Sequence, residues 1–290
     1  MNKVLTRRDF MIGGAFALFG LTIGFSQPEA KKTRVVLVRH ELAVDDRGGF
    51  NQDIIQQMLD QAVSTLFNEN DPLRAYKRVV KADDVVGVKT NVWAYLPTPP
   101  QLEKAIEGRL LEVGVNKENI SFDDRNVRNN PIFQRATALI NVRPLRTHYL
   151  AGMSGCLKNY VTFAQNIPDY HPQNCAKLAL LFQLPMVKGK TRLNILAALT
   201  PQFHGQGPHH FNRRYVWNYK GLIVGLDPVA VDTVGLEIIK AKRAQQFGPS
   251  RQIPGVPRYI KLADVKYKLG TSDLNKIDLV KLGWKKDILI

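Results

Sequence analysis

The densest chemical potential in the chain lies in residues 144–163, PLRTHYLAGMSGCLKNYVTF. The small residues from Gly152 to Gly155 would let backbone amides come close to a ligand, and consecutive amides form a nest for an anion. Lys158 and Asn159 follow directly. His148 stands ten residues before Lys158 and His171 thirteen after it. A buried lysine loses proton affinity, so Lys158 could hold an anionic group or act as a nucleophile. Its place near a helix start adds free amides that favour the same charge. His148 could serve beside it in acid–base work, and His148 with His171 could ligate a metal.

Three further segments carry candidates. VGVKTN ends a strand-like run with Lys89 and Asn91, which suit a phosphate or carboxylate. FHGQGPHHFN places His204, His209 and His210 in one loop, open to a metal or phosphate role. Adjacent histidines rarely ligate one ion together, so Gly205 and Gly207 are expected to give a tight turn near substrate. GLDPVAVDTVG offers Asp227 as a helix N-cap. It also places Asp232 among apolar neighbours, where a carboxylate costs energy unless paired. Asp232 is expected to meet a site Lys or Arg and to join Lys158 and His148 in catalysis; a structural cap is the alternative.

The elements that must position these residues alternate in period. RVVLVR (34–39), DVVGVKTN (84–91), NISFD (119–123), residues 136–142, RLNILAAL (192–199) and GLIVGL (221–226) read as strands, the fourth ending before Pro144. Residues 52–67, 101–113, 174–184, 227–243 and 257–268 read as helices, the second stopped by Gly114. This alternation predicts a three-layer α/β domain with a largely parallel or mixed sheet covered by helices on both faces. Ligands in such sheets sit beyond the carboxyl ends of the strands. There Lys89–Asn91, Asp123–Asp124–Arg125 and Asn141–Arg143 would converge, which adds Asp124 and Arg143 to the ligand-binding set with Lys89, Asn91, Asn159, Gly205 and Gly207.

The 290 residues carry 41 Lys+Arg against 25 Asp+Glu, a net charge of +16 that speaks of partners, not of fold. Arg7 and Arg8 precede an apolar stretch from Met11 to Phe25, the pattern of a twin-arginine export signal. That stretch is about fifteen residues, short of the roughly twenty a membrane span needs. Residues 1–26 are therefore expected to be a signal peptide and 27–290 a single α/β domain, periplasmic or otherwise outside the cytoplasmic membrane. Cleavage is expected near Ser26, with Ala30 a weaker choice. Losing Lys3, Arg7, Arg8 and Asp9 leaves 38 basic and 24 acidic residues, net +14. The expected partners are the export machinery, a small anionic ligand and peripheral contact with an anionic membrane surface. Nucleic acid is not expected, because no dense basic run is interleaved with aromatics.

Two cysteines, Cys156 and Cys175, are too few for a cysteine-ligated iron–sulfur cluster. An oxidising compartment would permit them to pair, and spacing leaves this open. Cys156, inside the Gly-rich segment, is expected to be free or loosely paired. GxGxxG after a strand, GxxxxGK[ST], HExxH and GxSxG are all missing, which removes the usual support for nucleotide-binding and serine-hydrolase readings.

Taken in order, VVGVKTN, FDDRNVRNNP, INVRPLRTHYLAGMSGCLKNYV, the GQGP loop, LIVGLDPVAVDTVGLEII and YIKLADVKYKLG resemble the family called domain of unknown function 362, over about residues 84–270. Many relatives carry ferredoxin-type cysteine motifs, and this chain has none. THYLAGMSGCLKNY is also distantly similar to the nickel-pincer lactate racemases, which have a His, a Gly-rich stretch, a cofactor-holding Lys and a further His. That likeness would imply hydroxy-acid racemisation, with nickel or another divalent metal near His148, Lys158 and His171. The early Gly-Thr-His of those enzymes is missing, and His171 falls a few residues short of its spacing.

The function expected is an exported enzyme or cofactor-handling protein with a basic anion-binding site at the strand ends. A non-catalytic binder of a phosphorylated or carboxylated envelope ligand is the alternative. A surface-associated protein whose charge is its function is a third.

Overall fold

A computed structural model describes residues 32–205, 211–250, 253 and 255–290. The expected signal segment lies outside them, as do Gly207, His209 and His210.

The sheet begins with β1 (Thr33–Arg39), whose alternate valines and leucine are buried on both faces. Helices α1 (Gln52–Phe67) and α2 (Pro72–Val79) follow, capped by the side chains of Asn51 and Asp71. Then come β2 (Val86–Lys89), α3 (Pro100–Val113), β3 (Ile120–Asp123) and the short α4 (Pro131–Arg135). The long β4 (Ala138–His148) leads through β5 (Gly152–Ser154) into the four-residue α5 (Cys156–Asn159). The chain closes with β6 (Thr191–Gln202), β7 (Gly221–Gly225), α6 (Pro228–Phe247), α7 (Arg258–Val265) and β8 (Ile277–Gly283).

The strand order is β3-β2-β4-β6-β7-β1-β8, with β5 paired to the end of β4. Among the described strands β7 and β5 pair antiparallel with their neighbours and the rest pair parallel, so the sheet is mixed. One face packs Val36, Val88, Ile140 and Ile195 against α1, α2 and α3. The other packs Leu37, Leu139, Leu196 and Ile223 against α5, α6, α7 and the turns between α5 and β6. Each fully buried aliphatic side chain in these layers contributes roughly 1.5–3 kcal/mol, which is what holds the three layers together. No helix among the described residues is long and apolar enough to cross a membrane.

Two segments depart from the sequence expectation. β4 does not end before Pro144 but runs on to His148. β2 stops opposite Asn141 and β5 reaches no further than Arg146, so among the described residues the stretch 142–145 has β6 alone as sheet neighbour. A proline, which lacks an N–H, is tolerated where a ladder is missing. The helix expected over 174–184 is instead broken. Gln173, Asn174 and Cys175 are left-handed, with φ of 53°, 58° and 63°, and a 3-10 turn covers Leu178–Gln183. Asp227 caps α6 as expected, accepting from the amides of Val229 and Ala230.

Candidate functional site

β2, β3 and β4 run parallel with Lys89, Asp123 and Asn141 in register, so their polar ends share one edge. The side chains there fall into two groups that differ in what remains free.

The first group is centred on Asn159. Its Nδ2 donates to the carbonyls of Lys89 (3.0 Å) and Val142 (3.1 Å) and to Asn141 Oδ1 (2.8 Å). Its Oδ1 accepts from Arg143 Nη1 at 2.8 Å and Lys89 Nζ at 3.5 Å. Lys89 Nζ also donates to the Thr90 carbonyl at 2.8 Å and to Asp124, with which it forms a buried ion pair. All three protons of the Lys89 ammonium are thus engaged. Burial pulls the Lys89 pKa down to about 8, against the opposing pull of Asp124. Burial alone would raise the Asp124 carboxyl, but Lys89 and the Val92 amide hold it below the usual range. Lys89, Asp124 and Asn159, expected as ligand contacts, spend their polar atoms on one another and pin α5 to the ends of β2 and β4. Asn91 differs, because its Oδ1 is buried and unpartnered.

Asp232 joins this structural role. It is buried and accepts from the amides of Cys156 (2.6 Å) and Leu157 (3.0 Å), the N-terminus of α5. The anion expected at that helix start is therefore Asp232 itself, held without an ion-pair partner among the described residues. Burial raises its pKa to about 7. The small residues before Lys158 allow this close packing. A Cβ on Gly155 would lie 2.2 Å from Asp232, and one on Gly152 would lie 1.9 Å from the Gly255 carbonyl.

The second group is open. Lys158, 3% exposed, has Nζ 3.3 Å from His171 Nε2 and 3.9 Å from Cys175 Sγ. The left-handed turn at 173–175, a conformation that costs roughly 1–2 kcal/mol per ordinary residue, brings these two partners in. His171 Nδ1 lies 3.1 Å from the Ile167 carbonyl and must donate there, which leaves Nε2 with a lone pair toward Lys158. Burial lowers Lys158 to about 8. His148 is pushed down to about 2 by burial and by the charge of Lys158. Its Nδ1 accepts from the amides of Leu150 and Ala151, both at 3.2 Å, so its proton sits on Nε2. That proton makes His148 a donor and not a metal ligand. No group of three or more His, Cys, Asp or Glu among the described residues could hold a metal ion. The metal expected at His148 and His171 does not fit these residues. Both thiols are free and buried, Cys175 against Lys158 and Cys156 beneath Asp232.

Arg143 and Arg146 complete this group. Arg143 reaches Asn159 with Nη1, but its buried Nε has no partner. Arg146, 6% exposed, makes no hydrogen bond or ion pair among the described residues, and its Nη1 is buried and unanswered. Its guanidinium lies 3.9 Å from the centre of the Trp93 ring, a cation–π contact. Burial, then the neighbouring Arg143, lowers its pKa well below the usual arginine value. Gln202 is paired in register with Arg146, is fully buried, and has neither its amide nitrogen nor its oxygen satisfied. Sequence reasoning missed Arg146, Gln202, Cys175 and Trp93. Only Arg146 gave a signal, as a second arginine in the basic run of β4.

The Gly-rich loop is divided. The Gly205 carbonyl accepts from Thr147 Oγ1 at 3.2 Å, beside the end of β4. His204 packs away from the site, 2.9 Å from Arg243 and edge-on to Tyr215.

Residues 112–237 match the model of the family described as Domain of unknown function (DUF362). The matched span holds Arg143, Arg146, His148, Lys158, His171, Cys175, Gln202 and Asp232, while the strand with Lys89 and the segment with Trp93 precede it. It is narrower than the resemblance over 84–270. Neither the curated proteins nor the solved structures contain a significant match.

Proposed function

We propose that the protein binds a small dianionic ligand, phosphorylated or dicarboxylated, at the carboxyl edge of its sheet and acts on it through Lys158 and His171. One observation carries this reading: Arg143, Arg146 and Lys158 are buried in one cluster, with no carboxylate in ion-pair reach among the described residues. An unpaired buried ion costs several kcal/mol, so such a cluster is sustained by a ligand that answers it. Arg143 Nε, Arg146 Nη1, the Lys158 ammonium and His148 Nε2 supply donors, and Asn91 Oδ1 supplies an acceptor for a protonated oxygen.

Catalysis is favoured over passive binding by the pair Lys158–His171. A lysine near pKa 8 beside an imidazole lone pair can pass a proton at neutral pH, which a mere anchor has no need to do. Export by the twin-arginine route belongs to the same proposal, supported by Arg7, Arg8 and the apolar stretch after them. Replacing both arginines with lysine should leave precursor in the cytoplasm, and undiminished export would remove that part.

Titration calorimetry at pH 7 with inorganic phosphate and with malonate tests the binding claim. At least one should saturate at one site per chain, and Lys158→Met should weaken it about tenfold or more, as loss of one charge-assisted contact implies. No saturable binding of either anion would overturn the reading.

A further inference from the structure

The contacts of the basic cluster do not end at Arg146. Trp93 covers that guanidinium, and its ring centroid lies 5.3 Å from Tyr95 and 5.6 Å from Phe211 in edge contacts. Tyr95 and Phe211 stack on each other at 4.7 Å. Both line a cleft of about 520 Å³, with Leu96, Pro97, Pro99 and Val216 among its walls and Asp46, Arg47 and Arg213 as its charged residues. That volume suits a small organic molecule. Tyr95 is 57% exposed, unusual for an aromatic residue in such a cluster.

A second, independent observation links the cleft to the basic cluster. Thr200 lines the cleft, and Gln202 lies two residues further along β6. Gln202 bridges to Val216 of the cleft on one side and pairs with Arg146 on the other. Its unpartnered donor and acceptor therefore sit at the junction. A buried amide with both groups unanswered costs stability, and the apolar residue of similar volume would not. Its presence between the basic cluster and the aromatic cleft implies something polar that passes between them.

We infer that the ligand is an amphiphilic dianion: an acidic head in the Arg143–Arg146–Lys158 pocket, a polar link read by Gln202, and a flat apolar or aromatic body in the cleft of Tyr95 and Phe211. This inference rests on the anion-site reading above and narrows its substrate class. Orthophosphate and small dicarboxylates would then be partial ligands, filling the head position alone. Beside Asp46, Arg47 and Arg213 the cleft presents the stacked rings of Tyr95 and Phe211 and the prolines Pro97, Pro99 and Pro100. A ring edge or face gains there both from removal of apolar area from water and from stacking.

The test compares inorganic phosphate with phenyl phosphate on the whole protein by calorimetry. Phenyl phosphate should bind about tenfold tighter or better, from burial and stacking of its ring. The double variant Tyr95→Ala, Phe211→Ala should lose that gain while keeping wild-type affinity for phosphate, since neither side chain touches the cations. Gln202→Met should raise the melting temperature of the free protein and shrink the preference for phenyl phosphate over phosphate, since the ester oxygen then loses its donor; an undiminished preference would remove Gln202 from the link. Equal affinities for the two probes in the wild type, or a gain that survives the double variant, would overturn the cleft assignment alone. Failure of both probes to bind would overturn the anion site and this inference with it.

Discussion

Two basic groups lie side by side at the same sheet edge, and they have opposite characters. Around Asn159 every donor has an acceptor: Lys89 is spent on Asp124, Thr90 and Asn159, and Asn159 on three backbone or side-chain partners. Around Lys158 the donors outnumber the acceptors, and Arg146 has an indole face in place of an anion. Burial is alike in the two groups. What separates them is satisfaction, and satisfaction is what distinguishes a structural network from a site waiting for a ligand.

That comparison can be broken most strongly on the closed side. Lys89→Met removes one partner of a buried ion pair and strands Asp124. Denaturant unfolding should show a loss of about 3–5 kcal/mol, and adding Asp124→Asn should recover part of it. A loss below about 1 kcal/mol, the range of an exposed pair, would mean that the network is not the scaffold described.

The open side answers to pH. The Lys158 pKa, lowered by burial to about 8, makes its ammonium the first of the cluster's cations to be lost as pH rises. Phosphate affinity should therefore decline above pH 8, and Lys158→Met should bind weakly with a flatter profile. Stability of the free protein moves the other way. Between about 8 and the ordinary lysine value of 10.5 the unfolded chain holds a proton that folded Lys158 has released, so this residue's contribution grows with pH across that window. The difference in stability between wild type and Lys158→Met, followed from pH 7 to 10, should show it. A flat difference would place the Lys158 titration elsewhere.

How much of this was legible in the sequence follows the same division. Parallel strands end on one edge, so the convergence of Lys89, Asp124 and Arg143 could be read from local pattern alone. Which of them would be consumed by pairing could not, because Asn159 meets Lys89 across 70 residues and Asp232 meets the α5 amides across 75 or more. Arg146 was hidden by Pro144, which signals a strand end unless the neighbouring strand is already missing. Gln202 carries no motif at all, and its significance is the absence of partners, visible only in three dimensions. Spacing left open whether Cys175 pairs with Cys156, and gave it no link to Lys158. The left-handed turn that aims it at Lys158 includes Gln173 and Cys175, residues that seldom adopt such a turn. β8 shows alternating Ile277, Leu279 and Lys281, yet only its pairing with β1 identifies it as a sheet edge.

The central claim is that the open cluster carries uncompensated charge for the sake of a ligand, and Arg146→Met tests it most directly. Methionine keeps the contact with Trp93 and removes the buried cation. Thermal unfolding with and without phosphate should show the free variant as stable as the wild type or more so, by up to about 1 kcal/mol, with the phosphate-induced rise in melting temperature abolished. A variant that loses several kcal/mol when free, yet keeps the wild-type rise with phosphate, would show that Arg146 is part of the scaffold and contradict the account.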